Sequence, residues 1–355
     1  MNNFNQEIKI GDKTINEDNE SFIIAEAGVN HNGKIEMAKK LVDAAVKAGV
    51  DAVKFQTFST DRLIIKDTKK AKYQVDNTGS EESQYDMLKK LELSFEDHKI
   101  IKDYCDKNDI TFLSTPYDPE SVDMLDELGV SAYKVSSSDN TNLPFLNYLS
   151  KKDKPVILST GMSYLGEIAE AVRAFKNNKF KDLILLHCVS NYPISMEKVN
   201  LEAINTLKDK FNTIVGYSDH TAGIGAAPYS IPLGAKVIEK HFTLDKNLSG
   251  PDHKASLNPE ELKETVNLIR KVEKAMGTGI KAPILEERDS KKKLQKSIVS
   301  KKDIVKDETI TEDKLTTKRP GTGISPIYIK EVIGKKAKDN IPKDTIITLD
   351  LFKED

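Results

Sequence analysis

The sequence of 355 residues predicts an α/β fold, a (β/α)8 TIM barrel followed by a small, mostly-β C-terminal domain. Short apolar runs recur along the chain, amphipathic helical patterns lie between them, and the composition changes after Gly277. Strands that alternate with helices indicate a parallel sheet, and eight such units over about 250 residues favour a closed barrel. The second possibility is an open, doubly wound sheet.

The strand candidates are rich in Val, Ile and Leu and almost continuously apolar, as is typical of parallel strands buried on both faces. In chain order they are Phe22–Val29, Ala52–Phe58, Thr111–Pro116, Ala132–Ser137, Pro155–Gly161, Leu183–Val189, Thr213–His220 and Lys236–Thr243. Polar and titratable residues gather at their carboxyl ends. Because the active site of such a barrel lies at that end, these residues predict an enzyme site there.

Helical periodicity fills the intervals between the strands. The clearest patterns are Met37–Ala48, Leu165–Asn177 and Glu197–Phe211. Gly49 stands where a helix C-cap belongs, and Asn258 followed by Pro259 predicts the start of a last barrel helix that continues to Met276. The interval after the second strand is too long for one helix, so Asp67–Gln84 is interpreted as an inserted loop over the strand ends.

The domain organisation is predicted as a catalytic barrel over 1–277, a linker over 278–296 and a small mostly-β domain over 297–355. The small domain contains a weak repeat, because 303–313 and 340–350 share six identical positions. Each copy is expected to form a short strand, a turn and a second strand. A module of about 60 residues has little core of its own and is expected to dock on a partner.

Composition excludes several classes of function. The formal net charge is -2, so no overall electrostatic attraction to nucleic acid or to an anionic membrane is expected. The apolar runs are too short to span a bilayer, and the N-terminus does not resemble a secretory signal. Two cysteines, Cys105 and Cys188, form no disulfide framework and predict a reduced, cytoplasmic location. Cys188 is interpreted as a packing residue.

Two lysines, Lys54 and Lys134, lie inside apolar strands, where an ammonium group is costly to bury without an anionic partner. One interpretation is a buried ion pair, for example between Lys54 and Glu26. The other is a pocket for an anionic ligand, and the repeated pattern at several strand ends favours it. The hydroxyl donors of such a pocket would be Ser114, Thr115, Ser137 and Ser159.

Five of the six histidines lie at or just beyond strand ends. His220 and His241 end neighbouring strands and could approach one divalent cation, since imidazoles with open positions suit a catalytic metal. The spacing alone leaves this open against satisfied, hydrogen-bonded histidines. For His187, in the middle of an apolar run, a hydrogen-bonded interior position is favoured.

Several motifs together resemble the sialic acid synthases, the bacterial synthases of N-acetylneuraminate and related nonulosonic acids. The resemblance covers nearly the whole chain, including the C-terminal domain, which looks like the family's antifreeze-like (SAF) domain. The motifs are Ile24–Gly33, Val53–Thr57, Ser114–Pro116, Tyr217–His220, Glu239–Thr243, Gly250–Ser256 and Lys318–Gly321.

The resemblance implies a domain-swapped homodimer that condenses phosphoenolpyruvate with an N-acetylated hexosamine and uses a divalent metal, Mn²⁺ or Mg²⁺. It implies His220 and His241 as metal ligands and Arg319 as a residue that reaches the partner subunit's site. The catalytic residues are predicted to be Glu26, Lys54 and Asp139. The predicted substrate-binding set is Lys54, Gln56, Thr115, Lys134, Ser137, Ser159, Ser190, Asn191, Tyr192, Ser218, Asp252 and Arg319.

Two positions depart from the family pattern. Asp139 stands where members often carry Glu, which shortens the reach of the carboxylate. Ser190 stands where some members carry Asn, and the neighbouring Asn191 could compensate.

The expected acceptor is N-acetylmannosamine, giving N-acetylneuraminate; the alternative is 2,4-diacetamido-2,4,6-trideoxy-mannose, giving N,N'-diacetyllegionaminate. Two other functions are weighed, another metal-assisted aldol-type barrel and an ice- or carbohydrate-binding module on an inert barrel. The C-terminal domain argues against the first, and the charged strand ends argue against the second.

Overall fold

A computed structural model describes residues 4–78 and 82–353, which form one unit that ends at Gly277 and a second that begins at Thr278. The strands of the first unit are β1 (Ile8–Ile10), β2 (Lys13–Ile15), β3 (Phe22–Gly28), β4 (Ala52–Thr57), β5 (Thr111–Pro116), β6 (Tyr133–Val135), β7 (Val156–Ser159), β8 (Leu183–Cys188), β9 (Ile214–Asp219) and β10 (Val237–His241). Its α-helices are Ile35–Ala48, Thr60–Leu63, Lys72–Thr78, Gln84–Lys89, Phe95–Lys107, Pro119–Glu127, Leu143–Leu149, Leu165–Asn177, Ala203–Phe211, Ala227–Ser230 and Pro259–Met276.

Strands β3 to β10 form one parallel sheet that curls into a nearly closed barrel. The first and last of them pair directly, with Phe22 opposite Val237 and Glu26 opposite His241. The hydrogen-bonded ladders run from β5 round to β6, and these two end strands lie side by side. The predicted (β/α)8 barrel is therefore confirmed, and the open sheet is excluded because the edge strands β5 and β6 of an open sheet would not lie side by side.

The eight strands occur where the sequence predicts them, and no strand is shortened by more than two residues at either end. The last barrel helix begins as expected, because the side chain of Asn258 accepts the backbone N–H of Glu261 and Pro259 follows at the first helical position. The prediction of one helix over Glu197–Phe211 is wrong. Asn200 takes a left-handed backbone conformation (φ 53°), which ends a short 3₁₀ turn before the helix starts at Ala203.

Inside the barrel, alternate residues of each strand change from apolar to polar along the strand. In β3 the inward series is Phe22, Ile24, Glu26, and in β10 it is Val237, Glu239, His241. The hairpin of β1 and β2 buries Ile8, Ile10 and Ile15 against the apolar, amino-terminal end of this interior. The apolar core is thus confined to one end, and the polar residues face a cavity at the other.

The long interval after β4 is not only a loop. It contains the helices Thr60–Leu63, Lys72–Thr78 and Gln84–Lys89, while residues 79–81 of the predicted loop lie outside the described residues. We call residues 58–91 the covering segment. In the described parts of the chain, no helix combines the length and apolar composition that crossing a bilayer requires.

The second unit has a small apolar core of its own, centred on Ile298, Ile304 and Ile341. Strand β11 (Ser297–Ser300) pairs antiparallel with β12 (Leu315–Lys318), and α-helices occupy Glu287–Leu294, inside the predicted linker, and Ile329–Val332. The repeat appears in the backbone, since the equivalent residues Asp307 and Asp344 both have a positive φ and Ile304 bridges its counterpart Ile341. The copies form isolated bridges rather than the expected pairs of strands.

Candidate active site

A cavity of about 570 Å³ lies at the carboxyl ends of the barrel strands. Most of the predicted site residues line it: Glu26, Lys54, Gln56, Thr115, Lys134, Ser137, Ser159, Ser190, Tyr192, Ser218, His220, His241 and Asp252. Their convergence follows from the parallel sheet, which brings the carboxyl ends of all its strands to one side.

Lys54 lies on β4 with its ammonium group buried (4% exposed) and fully surrounded by polar partners. Its Nζ lies 2.8 Å from Glu26 Oε2 on β3 and donates a hydrogen bond of 2.9 Å to Thr115 Oγ1 on β5. Burial alone would lower the pKa of Lys54, but the charges of Glu239 and Glu26 outweigh it and raise the pKa. The lysine therefore stays charged inside the barrel.

Lys134 on β6 is a second buried cation, and Glu239 connects it to the first. Lys134 Nζ donates to Ser159 Oγ at 2.7 Å and lies 3.6 Å from Glu239 Oε1, while Glu239 Oε2 lies 3.7 Å from Lys54 Nζ. Burial would raise the pKa of Glu239, but the two ammonium groups lower it to about 2. Glu239 was not assigned a role from the sequence, and it is the carboxylate shared by both lysines.

In this cluster, Glu26 is the carboxyl group that can gain or lose a proton near neutral pH. Burial raises its pKa to about 7, opposed by the charge of Lys54 and aided by that of Glu239. Its Oε1 accepts a hydrogen bond of 3.1 Å from Gln56 Nε2. Lys54 thus forms the ion pair with Glu26 and also lines the cavity, and its binding of an anionic ligand stays a prediction.

Hydroxyl groups surround one side of the cavity around Gly161, just after β7. The Gly161 N–H donates to Ser137 Oγ at 2.9 Å. A Cβ on Gly161 would clash with Ser190 Oγ and approach Cys188 Sγ to 3.3 Å. The absence of a side chain at Gly161 therefore leaves room for the hydroxyls of Ser137 and Ser190, which both line the cavity.

His220 and His241 converge at the mouth of the barrel, with ring centroids 5.4 Å apart. The carbonyl oxygen of Val189 can only accept, so His220 Nδ1, 2.8 Å away, carries a hydrogen and Nε2 is the nitrogen left to bind a cation. Nδ1 of His241 is buried and has no hydrogen-bond partner. Burial and the neighbouring His220 hold the pKa of His241 well below its usual range, so this ring is neutral, as a metal ligand must be.

The two imidazoles therefore fit a divalent cation. Across the described ranges, no group of three or more His, Cys, Asp or Glu side chains is placed to hold an ion. The remaining positions of a cation on His220 and His241 would be filled by water or by substrate oxygen, as in an open catalytic site. The ring of Tyr192 packs on His220 with centroids 3.9 Å apart, which limits the orientation of that imidazole.

A buried ion pair supports both histidines from the outer face of the barrel. Asp219 precedes His220, Lys240 precedes His241, and the two are paired in the register of β9 and β10. Lys240 Nζ lies 2.8 Å from Asp219 Oδ2, with side chains 4% and 0% exposed. This ion pair was not predicted from the sequence, because it depends on the register between the two strands.

Three predicted residues of the first unit do not line the cavity, and one of them, Ser114, is buried with its Oγ 2.7 Å from Thr57 Oγ1. Asp139 ends a 3₁₀ turn beside it, and its carboxylate accepts from Asn142 Nδ2 at 3.0 Å. Asn191 is exposed and donates to the carbonyl of Pro193 at 3.4 Å. Arg319 is exposed in the second unit, directly after β12.

The covering segment contributes an apolar side to the cavity. We call Val29, Phe58, Leu63, Met87 and Leu88 the apolar wall, because these side chains pack in one cluster and line the cavity together. The segment is tied to the barrel loop that carries Asp252 by a hydrogen bond of 2.6 Å from Asn77 Nδ2 to the Pro251 carbonyl. Burial raises the pKa of Asp252 to about 6.

Comparisons with known proteins match both units. A sequence model of the NeuB family matches residues 41–281, and one of the SAF domain matches residues 295–353. The N,N'-diacetyllegionaminic acid synthase of Campylobacter jejuni is 50% identical over 92% of this chain and 98% of its own. The enzyme of the same name from Legionella pneumophila is 46% identical over 92% and 93%.

A solved structure is similar at lower identity. The N-acetylneuraminic acid synthetase of Leptospira borgpetersenii, crystallised with citrate, is 35% identical and covers 82% of this chain and 96% of its own, with a TM-score of 0.71.

Proposed function

This chain belongs to the NeuB family, the sialic acid synthases, and on that premise we propose that it condenses phosphoenolpyruvate with 2,4-diacetamido-2,4,6-trideoxy-mannose to give N,N'-diacetyllegionaminate and phosphate. It is a transferase that forms a carbon–carbon bond, a nonulosonic acid synthase. One observation carries the choice of acceptor: the named legionaminic acid synthases are 50% and 46% identical, against 35% for the neuraminic acid synthetase. The comparisons thus favour the alternative acceptor over N-acetylmannosamine.

Phosphoenolpyruvate carries its charge on a carboxylate and a phosphate, and the buried cations Lys54 and Lys134 would hold the two groups. Cations fixed in a water-excluded site stabilise anions better than solvent does. Ser137 and Ser190, whose hydroxyls lie next to Gly161, would supply further hydrogen bonds. Glu239 would keep the two ammonium groups apart and oriented.

A divalent cation, Mn²⁺ or Mg²⁺, on His220 and His241 would act as a Lewis acid toward the acceptor's aldehyde oxygen. Tyr192 and Asp252 lie beside the histidines and would contact the sugar.

When the methylene carbon of phosphoenolpyruvate attacks the aldehyde carbon, positive charge grows at the enol carbon, and water adds there. Glu26 is assigned as the group that orients this water and takes its proton, since a base with a pKa near the working pH is the most effective. Loss of phosphate then completes the reaction. Asp139 is the second candidate; it is not among the residues that line the cavity, and its carboxylate accepts a hydrogen bond from Asn142.

We also propose the domain-swapped homodimer implied by the family resemblance, in which Arg319 reaches the partner subunit's site. Its test is a mixture of two inactive variants, Lys134→Met and Arg319→Ala. Mixed dimers would regain activity only if one subunit supplies the barrel and the other supplies the arginine. A mixture that stays inactive after subunit exchange would contradict the swap.

The acceptor is tested by incubating the protein with phosphoenolpyruvate, Mn²⁺ and each candidate sugar and measuring released phosphate and product mass. The expected kcat/KM is highest for the trideoxy diacetamido sugar, by about tenfold or more over N-acetylmannosamine. Lys134→Met, which keeps the aliphatic stem and removes the charge, is the inactive control. A preference for N-acetylmannosamine would reverse the choice of acceptor, and no phosphate release with any acetamido sugar would refute the proposed function.

A further inference from the structure

The apolar wall has no part in binding phosphoenolpyruvate. That substrate is small and highly charged, and its partners Lys54, Lys134 and the serines lie on the barrel strands. The wall is built from Val29 and the covering segment, and Phe58 and Met87 are nearly inaccessible (7% and 4% exposed). An apolar surface that lines a ligand cavity favours a ligand that carries apolar groups.

In the covering segment, the residues that line the cavity differ in charge from the segment as a whole. It is dense in charge, with Asp61, Arg62, Lys66, Lys69 and Lys72 among its members. Its described residues on the cavity are nevertheless all uncharged: Phe58, Leu63, Ile64, Ala71, Gln74, Gln84, Met87 and Leu88. None of the charged side chains that the structure describes in this segment lines the cavity, so the cavity is apolar on this side although the segment is highly charged.

The two glutamines do not make the wall polar. Gln74 Oε1 accepts from the Ala71 N–H at 2.9 Å and from Gln84 Nε2 at 3.1 Å. The amide oxygen of Gln74 and one N–H of the Gln84 amide are therefore engaged within the covering segment. A sugar hydroxyl placed against the apolar wall would lose its hydrogen bonds to water and contact mostly carbon atoms.

We infer that the apolar wall is a specificity site that binds the methyl-bearing end of the acceptor and selects acetamido sugars with a methyl group at C6 over those with a hydroxymethyl group. The inference rests on the proposed function and deepens it. The aldehyde end must face His220, His241 and the enol substrate, so the far end of the sugar projects toward the covering segment. There its methyl groups pack on Leu63, Met87 and Leu88.

The test compares two acceptors that differ by one oxygen, 2,4-diacetamido-2,4,6-trideoxy-mannose and its 6-hydroxy counterpart. An apolar pocket separates such pairs by about 10–200-fold in kcat/KM, and that ratio is expected for the wild type. Leu63→Gln and Leu88→Gln, at half-buried positions that tolerate a polar side chain, are each expected to lower the ratio about tenfold. Leu63→Met and Leu88→Met are the matched controls and should retain it.

The KM for phosphoenolpyruvate should stay unchanged in all four variants, because none of them touches the anion-binding residues. If both Gln variants release phosphate and keep the wild-type ratio, the wall does not select the acceptor, while the proposed function still stands. If the wild type releases phosphate with neither sugar, the proposed function itself fails, and the inference fails with it. Circular dichroism of each variant confirms that it is folded.

Discussion

Replacing Asp219 by Asn should destabilise the barrel strongly, because among the described residues it removes the only carboxylate bonded to the buried Lys240. The carboxylate lies 2.8 Å from Lys240 Nζ, and neither side chain is accessible. Removing one partner of a buried ion pair costs about 3–5 kcal/mol. For a domain of this size each kcal/mol lowers the melting temperature by about 2–4 °C, so the expected decrease is at least about 6 °C.

The structure also predicts an asymmetry between the two partners. Without Lys240, Asp219 still accepts from three backbone N–H groups and two hydroxyls. Without the Asp219 charge, Lys240 keeps only the carbonyl and hydroxyl of Thr221. Lys240→Met should therefore cost clearly less than Asp219→Asn, since the remaining donors still stabilise the carboxylate.

The assay is urea unfolding followed by far-ultraviolet circular dichroism, with refolding checked for each variant. Glu170→Gln is the control, because it breaks the exposed pair with Arg173 (50% and 62% exposed) and should cost no more than about 1 kcal/mol. An Asp219→Asn variant as stable as this control would refute the reasoning. So would a Lys240→Met variant that is the less stable of the pair.

Three further outcomes are expected. Gly161→Ala should leave the fold intact but raise the KM for phosphoenolpyruvate about tenfold or more, because its Cβ displaces Ser190 Oγ. An unchanged KM in phosphate-release kinetics would contradict the proposed role of Ser190. Burial lowers the pKa of His31 and of His253 to about 4, whereas the pKa of an unfolded histidine is about 6.5. The stability that these two neutral rings contribute is therefore complete above pH 6.5 and is lost as the pH falls through about 4. Urea unfolding from pH 7 to 4 should show this decline, and a His31→Gln/His253→Gln variant should show a shallower one. His241→Ala should weaken Mn²⁺ binding measured by calorimetry by about tenfold or more, and wild-type affinity in that variant would remove His241 from the metal site.

The barrel was predictable because each strand carries its own signal. An unbroken apolar run such as Leu183–Leu186, bounded by helical periodicity, specifies a buried parallel strand locally. Strand ends were less predictable, since hydrogen bonding stops where neighbours diverge; only Tyr133–Val135 remains of the six-residue run predicted for β6. Asn200 shows the same limit for helices, because nothing in its neighbourhood announces a left-handed residue.

The candidate site divides in the same way. Lys54 and Lys134 stood out because a charge inside an apolar run is unusual. Glu239 was overlooked, since its importance depends on the register that brings β10 between β3 and β9. The apolar wall could not be read from the sequence at all, because Val29 and Met87 are far apart in the chain and each resembles an ordinary core residue.

The carboxylates that pair with Lys54 and Lys134 affect how the protein binds and releases anions. With Glu26 and Glu239 always beside them, the two ammonium groups already have counter-ions before any substrate arrives. The empty barrel therefore holds counter-charge for its two buried cations, from Glu239 and from the ionised fraction of Glu26, whose pKa is about 7. An incoming anion competes with resident carboxylates instead of neutralising bare cations, which moderates its affinity and lets the inorganic product depart.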